Sequence, residues 1–597
     1  MAVLTIEQAL PLAIAHHQAG RFAQAETIYR QILVQQPQHA DALHLLGLIA
    51  VATGHPGEAA ELIGRAIARS PAQAIYHANL GVTLHRLGRD SEALACLMRS
   101  VALAPDSAEN RFNLAEVLHN LGRSDEAIAS CRQALALLPD YPEAHNLLGI
   151  VLAHTAQAEQ AVASYRAALA LRPGWAEAHN NLGCAFLALK QREEAEKSFR
   201  RAIAARPDYA TAHGNLAGVL GLAALARDEH GEAIPHFQRV LELKPGFLEA
   251  YANLAACFLA LGRFTESIDA CRQALAIRPD FAAAHWNLSL VLLLQGHHEE
   301  GWREYEWRWQ CPPMSDGCRN FSTPQWDGSP APGHTILLHA EQGFGDAIQF
   351  LRYLPLVRER AGGARLILEC MPSLIRLLDE TAGWDAEIIA RDATREPEVP
   401  PHDFHIPLLS LPLALGMPAP LPVAAPYLRA GAASREVWRQ HLAPAAQPRI
   451  GIAWEGNPAH QNDRRRSIPF GTLAGILSVP GFSFCSLQVT PNADHPQALA
   501  EAGVLDFTAR ITDFADTAAL MAELDLIITV DTAVAHLAGA LGRPVWMLLP
   551  FVPDWRWGLE TEDTPWYPTM RLFRQEKTGD WDSVIRRVAG ELSVFRG

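Results

Sequence analysis

The chain has 597 residues, more than one hydrophobic core usually supports, so at least two domains are expected. A composition of 49% hydrophobic and 19% charged residues argues against both a disordered chain and an integral membrane protein. Because 65 acidic residues outnumber 50 basic ones, the net charge of -15 gives no reason to expect nucleic acid or an anionic membrane as a partner.

The N-terminus has no basic segment ahead of its short apolar stretch, and no later run reaches the roughly 18–20 apolar residues of a membrane span. The nine cysteines form no CxxC pair and are typical of reduced core residues. We therefore expect a cytoplasmic protein without membrane insertion.

Prolines recur every 34 residues through the first half of the chain, at Pro37, Pro71, Pro105, Pro139, Pro173 and Pro207. Small residues and LGR turns keep the same period, and the pattern resembles the tetratricopeptide repeat, a helix-turn-helix unit that stacks into a superhelix. The step from Pro207 to Pro245 is longer, which indicates a four-residue insertion in one repeat. We predict an α-solenoid over 1–310, closed by a capping helix within 285–310.

One slot of the repeat, two places before the small residue, holds the same polar side chain in most repeats: Asn79, Asn113, Asn181, Asn215, Asn253 and Asn287. The series resembles the asparagine ladder with which O-GlcNAc transferase holds extended peptide. A primary amide both donates and accepts hydrogen bonds, so it can pair with any peptide backbone. The alternative is a structural role, because asparagine is common in this slot of the repeat.

Near residue 311 the period ends in a stretch rich in Pro, Gly and Ser, which predicts a linker over 311–333. Beyond it, short apolar runs such as TILLHA, RIGIAWEG and LDLIITV alternate with helical segments, as is typical of parallel sheets. We predict an α/β region with two Rossmann-like lobes, an N-terminal one over 334–430 and a C-terminal one over 431–597. Ligands of such sheets bind beyond the carboxyl ends of the strands.

In the N-terminal lobe, the run TILLHA is followed by a glycine-rich turn that enters a helix. The loop comprises Glu341, Gln342, Gly343 and Gly345, and the carboxylate of Asp346 begins the helix. One interpretation is that Asp346 only caps its helix. The other is that it faces the cleft as a functional carboxylate.

In the C-terminal lobe, two segments follow strands at the same edge. A basic loop after the first strand supplies Trp454, Gly456, Asn457, Arg464 and Arg466. A helix after a later strand begins with Asp531, Thr532, Ala533 and His536. The N-terminus of a helix binds phosphate readily, so these segments predict a site for an anion.

The motifs GD with LP eight residues later and DTAVAHLAGALGRPV resemble glycosyltransferase family 9, whose best-known members are heptosyltransferases. This resemblance implies a GT-B fold, a nucleotide-sugar donor bound by the second lobe, and no metal or other cofactor. Matched to this sequence, Asp346 is the base of an inverting transfer and the donor motif is Asp531, Thr532, Ala533 and His536. Trp555 and Arg556 either line the sugar pocket or belong to the core.

Heptosyltransferases carry no solenoid and act on a lipid-linked acceptor, so heptose is not implied as the donor sugar here. By analogy with flagellin-modifying transferases of this domain order, the hypothesis is transfer from a nucleotide-sugar to a protein hydroxyl, with the protein held by the solenoid. One alternative is a transferase for a polysaccharide or a lipid-linked acceptor, with the repeats as an assembly scaffold. Another is a non-catalytic adaptor.

Overall fold

The computed structural model describes residues 5–227, 230–312, 314, 319, 321–381, 383–391, 399–417, 419–421, 426–458, 463–489 and 495–595. Its internal contacts divide the chain into two compact units, 1–219 and 220–597. This division lies inside the repeat array, and the boundaries expected at 310, 333 and 430 stay predictions. Among the described residues, no helix combines the length and apolarity that a membrane span requires.

The first unit consists of paired helices. In each repeat a helix of 13 residues is followed by one of 14 residues, and successive repeats begin 34 residues apart. The helices are α1 (Ile6–Gln18), α2 (Phe22–Gln35), α3 (Ala40–Ala52), α4 (Pro56–Arg69), α5 (Ala74–Arg86), α6 (Asp90–Leu103), α7 (Ala108–Asn120), α8 (Ser124–Leu137), α9 (Pro142–His154), α10 (Ala158–Leu171), α11 (Ala176–Ala188) and α12 (Arg192–Ala205), and α13 (Ala210–Arg227) crosses the division.

The small residue of each first helix allows its partner helix to approach. A Cβ atom added to Gly149 would lie 2.6 Å from the Tyr165 ring, and one added to Gly183 would lie 2.5 Å from the Phe199 ring. The large side chain stands 16 positions after the glycine in each case. The period of small residues in the sequence therefore reports this helix–helix contact.

The periodic prolines have a second role in the turns. Five of their carbonyl oxygens accept a hydrogen bond from a histidine ring six residues later, as in His145 to Pro139 at 2.9 Å and His179 to Pro173 at 2.8 Å. At these junctions the proline turn finds a side-chain donor at the start of the next repeat, which satisfies a backbone polar group.

The second unit begins with the remaining solenoid helices. They are α14 (His230–Leu243), α15 (Leu248–Ala260), α16 (Phe264–Ile277), α17 (Ala282–Leu294) and α18 (His298–Tyr305), with a 3₁₀ turn at Glu306–Gln310. The four-residue insertion shows as the longer step from α13 to α15, and the predicted capping segment forms α17, α18 and this turn.

Two parallel sheets follow, as the apolar runs predict. The first has the order β3-β2-β1-β4, with β1 (Thr335–His339), β2 (Arg365–Cys370), β3 (Glu387–Ala390) and β4 (Phe404–Pro407). The second has the order β10-β9-β8-β5-β6-β7, with β5 (Arg449–Ala453), β6 (Ser483–Ser486), β7 (Leu505–Asp506), β8 (Leu526–Val530), β9 (Val545–Leu549) and β10 (Met570–Arg574).

Helices connect the strands in both lobes. The first lobe contains α19 (Phe344–Phe350), α20 (Leu354–Ala361), α21 (Pro372–Thr381) and α22 (Leu411–Ala414). The second contains α23 (Ala432–Leu442), α24 (Asp463–Arg466), α25 (Ala474–Leu477), α26 (His495–Glu501), α27 (Phe514–Ala522), α28 (Ala533–Ala540) and α29 (Trp581–Val594). The predicted fold class, a solenoid followed by an α/β region, is confirmed.

One hydrophobic cluster joins the end of the solenoid to both lobes. Trp302 of α18 is 1% exposed and packs edge-on against Phe350 of the first lobe and Trp555 of the second, with ring centroids 5.9 and 5.1 Å away. Arg352 of the first lobe is also buried and donates to the carbonyl oxygen of Trp566 in the second lobe at 2.7 Å. The last solenoid helices and the two lobes therefore share a core.

The helix contact at Gly183 leads to a prediction for the first unit. Gly183→Ala should loosen the α11–α12 pair, because the added methyl group meets the Phe199 ring, and overpacking of this kind costs about 1–3 kcal/mol. Hydrogen-exchange mass spectrometry on the intact chain should show faster exchange in both helices.

The matched control is Gly64→Ala in α4, where an added Cβ meets no atom within 4 Å. This change should leave exchange unchanged or slow it, since alanine favours a helix over glycine by about 1 kcal/mol. Equal behaviour of the two variants would contradict the packing interpretation.

Candidate active site

The glycine-rich loop after β1 is shaped by close contacts. Gly343 precedes α19, and its backbone N–H donates to Oδ2 of Asp346 at 2.9 Å. Gly345 lies against the second lobe, where an added Cβ would lie 2.7 Å from the His536 ring. The loop therefore needs glycine at 345 to let α19 approach α28. Asp346 does cap its helix, and it has a second partner across the cleft.

That second partner is Arg556, which lies in a 3₁₀ turn (Trp555–Trp557) after β9. Its guanidinium donates to Oδ1 of Asp346, to Asp554 at 2.7 Å and to the buried Gln349 side chain at 2.6 Å. Burial by itself lowers the pKa of Arg556, but Asp554 and Asp346 raise it above the ordinary value. A permanent cation thus lies beside the predicted base.

The neighbouring tryptophan, Trp555, belongs to the core. Its indole is 5% exposed and its ring stacks under the Arg556 guanidinium at 4.2 Å. The sequence did not decide whether Trp555 and Arg556 line the sugar pocket or belong to the core. In the structure Trp555 packs in the core, whereas Arg556 faces Asp346.

The rest of the glycine-rich loop is held by the solenoid. Arg308, in the last turn of the solenoid, is 0% exposed and donates to Glu341 at 2.8 Å, to Glu306 at 2.7 Å and to Ser410 at 2.8 Å. Gln342 donates to the Tyr305 hydroxyl at 3.0 Å. Glu341 and Gln342 therefore connect the loop to the solenoid end.

Glu341 is an unusual carboxylate. Its side chain is 3% exposed, and its Oε2 atom is buried with no hydrogen-bond partner in the described part of the chain. Burial raises the pKa of Glu341 to about 7, although Arg308 acts in the opposite direction. Near neutral pH this group can therefore both accept and donate a hydrogen bond.

In the second lobe, Asp531 directly follows β8 and Thr532 is the N-cap residue of α28. Burial, and then the charge of Asp554, raise the pKa of Asp531 to about 6, while Arg466 and Arg556 act in the opposite direction. The hydroxyl of Thr532 makes no capping bond, and its oxygen is buried with no partner among the residues described. With Ala533 as the first helical residue, the amides of this turn form a site that favours an anion.

His536, one turn into α28, is 5% exposed. Its Nδ1 atom pairs with the Tyr567 hydroxyl at 2.9 Å, and its ring lies 5.3 Å from that of Trp557. Burial, together with Arg556 and Arg352, lowers the pKa of His536 well below the ordinary value, so the ring is neutral at pH 7. In this structure the ring packs between the lobes against Gly345, and contact with a nucleotide stays a prediction.

The loop after β5 divides into buried and exposed parts. Trp454 is 1% exposed and packs on Phe470 at 5.0 Å, whereas Asn457 and Arg464 are exposed. Residues 459–462 of this basic segment lie outside the described residues. The donor-binding roles predicted for Trp454, Asn457 and Arg464 stay predictions.

Arg466 is the arginine of this loop that the structure brings toward the cleft. It lies 3.4 Å from Asp463 and is close enough to lower the pKa of Asp531. A Cβ on Gly456 would come within 2.7 Å of its guanidinium, so a larger residue there would displace the Arg466 side chain. The role of Arg466 in binding an anion stays a prediction.

Four asparagines of the predicted ladder bond within the solenoid. Each donates its amide nitrogen to an atom 35 positions earlier, in the preceding repeat: Asn79 to His44 at 2.8 Å, Asn181 to Asn146 at 3.4 Å, Asn215 to Asn180 at 2.9 Å and Asn287 to the Ala252 carbonyl at 2.8 Å. These bonds support the structural interpretation. An amide bonded through its nitrogen can still accept at its oxygen, so peptide binding stays open.

The other two ladder residues, Asn113 and Asn253, make no side-chain hydrogen bond within the described part of the chain. Asn113 is half-buried and Asn253 is exposed. In these two ladder residues, both the amide nitrogen and the amide oxygen are available to bond a peptide.

Sequence reasoning gave no role to Arg308 or Gln349, and it left Arg556 undecided. No motif marks them, since each acts through a partner at a distance in the chain. For Gln349 one chemical signal was available, because a glutamine within the otherwise apolar run 347–351 needs a polar partner.

Models of known families match segments of both the repeat region and the α/β region. Tetratricopeptide repeat models match residues 10–54, 44–108, 91–142, 112–176, 176–209 and 224–288. The model of glycosyltransferase family 9 (heptosyltransferase) matches residues 506–549. That segment contains Asp531 and His536, and it does not contain Asp346.

Individual proteins are similar over parts of the chain. Protein FlbA of Caulobacter vibrioides is 30% identical over 331 residues, which are 51% of this chain and 54% of FlbA. The chain thus spans about half the length of this curated relative. Among solved structures, a MamA protein is 23% identical over 29% of this chain and 96% of its own, with a TM-score of 0.27. YrrB, described as a TPR protein with an unusual peptide-binding site, is 20% identical over 32% of this chain and 95% of its own, with a TM-score of 0.28.

The family matches and the two sheets agree with the motifs of the sequence, each in its own part of the chain. The chain therefore joins a solenoid of tetratricopeptide repeats to an α/β region in which residues 506–549 match the model of glycosyltransferase family 9.

Proposed function

We propose that this chain transfers a sugar from a nucleotide-sugar to a hydroxyl of a protein acceptor, with inversion at the anomeric carbon and without a metal ion. The observation that carries the proposal is the Asp346–Arg556 pair, which closes the cleft between the lobes beside Asp531 and the start of α28. It combines a candidate base with a candidate phosphate-binding cation at one point.

In the proposed reaction, the acceptor oxygen attacks the anomeric carbon and its proton passes to Asp346. The bond from that carbon to the nucleotide phosphate breaks, and the phosphate keeps the electron pair. Arg556, Arg466 and the amides that begin α28 stabilise the charge on this leaving group. An attack from the face opposite the leaving group inverts the configuration.

The ion pair has a consequence for the order of events. A carboxylate that accepts from a guanidinium is a poor base, since the pair stabilises its charged form. The diphosphate of a bound donor competes for Arg556, and its binding frees Oδ1 of Asp346. Donor binding therefore activates the base, and the acceptor reacts second.

The protein acceptor is inferred from the solenoid, and the cytoplasm is its expected location. Flagellin is the acceptor suggested by analogy of domain order, so it serves as the first probe. Intact-mass measurement of flagellin, incubated with the chain and a panel of nucleotide-sugars, tests the proposal. A mass increase by one sugar residue supports it, whereas transfer to glycan acceptors alone would favour the alternative of a polysaccharide or lipid-linked substrate.

The base assignment predicts the behaviour of Asp346→Asn. Transfer should fall by at least about a hundredfold, the usual contribution of general-base catalysis, because asparagine cannot accept the proton. Nucleotide binding, followed by calorimetry, should persist. The control Glu359→Gln changes an exposed carboxylate of α20 in the same lobe and should keep full activity. Near-normal turnover of Asp346→Asn would reject the assignment.

The raised pKa of Asp531 predicts opposite effects on stability and binding. Folding favours the protonated form, so this group supports stability below about pH 4 and loses that contribution as pH rises through about 6. Asp531→Asn should therefore raise stability at pH 8 by roughly 1 kcal/mol, with no gain below pH 4.

The same Asp531→Asn variant should bind the donor nucleotide more weakly, seen as a smaller thermal shift on adding nucleoside diphosphates. Asp506→Asn, an exposed carboxylate at the end of β7, is the control and should show neither effect. A variant that is stabilised yet keeps the full thermal shift would place the donor elsewhere.

The ladder gives a separate prediction for the acceptor. The double change of Asn113 and Asn253 to Ala should weaken flagellin binding in calorimetry without lowering the melting temperature, because neither amide bonds to another of the described residues. The double change of Asn181 and Asn215 to Ala breaks bonds between repeats and should destabilise the chain by about 1 kcal/mol for each bond. Asn120→Ala is the control and should leave flagellin affinity unchanged. If the first double variant also binds flagellin with unchanged affinity, the asparagine ladder has only a structural role.

A further inference from the structure

A small cavity of about 100 Å³, lined by both polar and apolar side chains, lies at the carboxyl edge of the first sheet. Its walls come from the ends of β1 and β4, from the segment that precedes β1, and from the solenoid end, through His339, His405, Phe321 and Trp309. The carboxyl ends of parallel strands are where ligands of such sheets bind. The cavity is therefore in the right place for a substrate contact.

The cavity adjoins the candidate base through the glycine-rich loop. Glu341 lines it, and this residue lies five positions before Asp346, close enough for the two charges to interact. Its Oε2 atom is buried and has no partner within the described residues. A buried acceptor without a donor is costly, so the site favours a ligand that supplies one.

The remaining polar groups of the cavity are held in place. His339 and His405 pair at 3.3 Å, and burial, before any other cause, lowers the pKa of His405 to about 4, so its ring is uncharged at neutral pH. Arg391 donates to the carbonyl oxygen of Ala340 at 2.8 Å. The walls are thus fixed before a ligand arrives, which lowers the entropy cost of binding.

The charges select against an ionic ligand. Arg319 and Arg391 line the cavity and repel a cationic ligand, and Glu341, when it is ionised, repels an anionic one. Arg319 is already paired with the buried Glu369. A neutral group with a hydrogen-bond donor meets no such repulsion and can satisfy Oε2 of Glu341.

The size limits the ligand further. Pockets that hold a whole cofactor or drug-sized ligand measure about 300–1,000 Å³, several times this volume. The cavity has room for one small side chain and is too small for a nucleotide or an oligosaccharide. Trp309 brings the solenoid end to its wall, so a chain leaving the solenoid can reach it.

We propose that this cavity is an acceptor subsite, which receives one neutral, hydroxyl- or amide-bearing side chain of a peptide, next to the residue that is glycosylated. The inference rests on the proposed transfer to a protein. Glu341 accepts from that side chain, and Gln325 lies at the exposed rim. The subsite fixes the register of the peptide relative to Asp346.

Phage-displayed random peptides selected on the full chain test this subsite. Peptides selected by the parent protein should share Ser, Thr, Asn or Gln at one fixed position. Gln325→Trp, which blocks the rim, and Glu341→Gln, which keeps the shape of the side chain, should each lower that enrichment by about tenfold, as expected for a lost buried hydrogen bond. Glu359→Trp, on the exposed face of α20, should leave it unchanged.

The outcomes separate this inference from the proposed function. Selected peptides without a fixed polar position, or with the same preference in all variants, would overturn the subsite and leave transfer to protein intact. Selection of no peptide, together with binding of oligosaccharides on a glycan array, would overturn the protein acceptor itself. Melting temperatures within error of the parent exclude misfolding, and the two variants act at different points of the cavity.

Discussion

The buried guanidinium of Arg308 is the interaction on which the second unit depends. A charge that is 0% exposed is tolerated only when it is paired and hydrogen-bonded, and Arg308 has partners in the solenoid turn, in the glycine-rich loop and in the turn at Leu408–Ser410. Glu306 and Glu341 supply its counter-charge, and the Ser410 hydroxyl accepts a further hydrogen bond. These three segments are therefore held in one arrangement.

From this point, contacts lead to the candidate base. Trp302 packs on Trp555, whose ring stacks on Arg556, and Arg556 pairs with Asp346. The end of the solenoid thus stabilises the candidate base through this series of ring contacts and the Arg556–Asp346 ion pair. The helix that ends the solenoid also completes the core of the lobes.

The cleft has a nearly balanced set of charges. Asp346, Asp531 and Asp554 face Arg556 and Arg466, and burial, followed by the charge of Asp554, raises the pKa of Asp531. An anionic donor adds negative charge to this set, so it competes with the carboxylates for the two arginines. The proposed activation of Asp346 follows from that competition.

The sequence by itself determined the elements. A period of 34 residues specifies the helix pairs because a small residue in the first helix of each repeat lets the second helix approach, and alternating apolar runs specify parallel strands because both faces of those strands are buried. It also selected Asp531, which directly follows β8, and Asp346, in the glycine-rich turn after β1, as candidate site residues whose roles stay predictions. What only the tertiary structure decided is which side chains meet across the cleft. Arg556 and Asp346 are 210 positions apart and Arg308 and Glu341 are 33 apart. No local pattern records such pairs, because they depend on how the lobes and the solenoid end pack on one another.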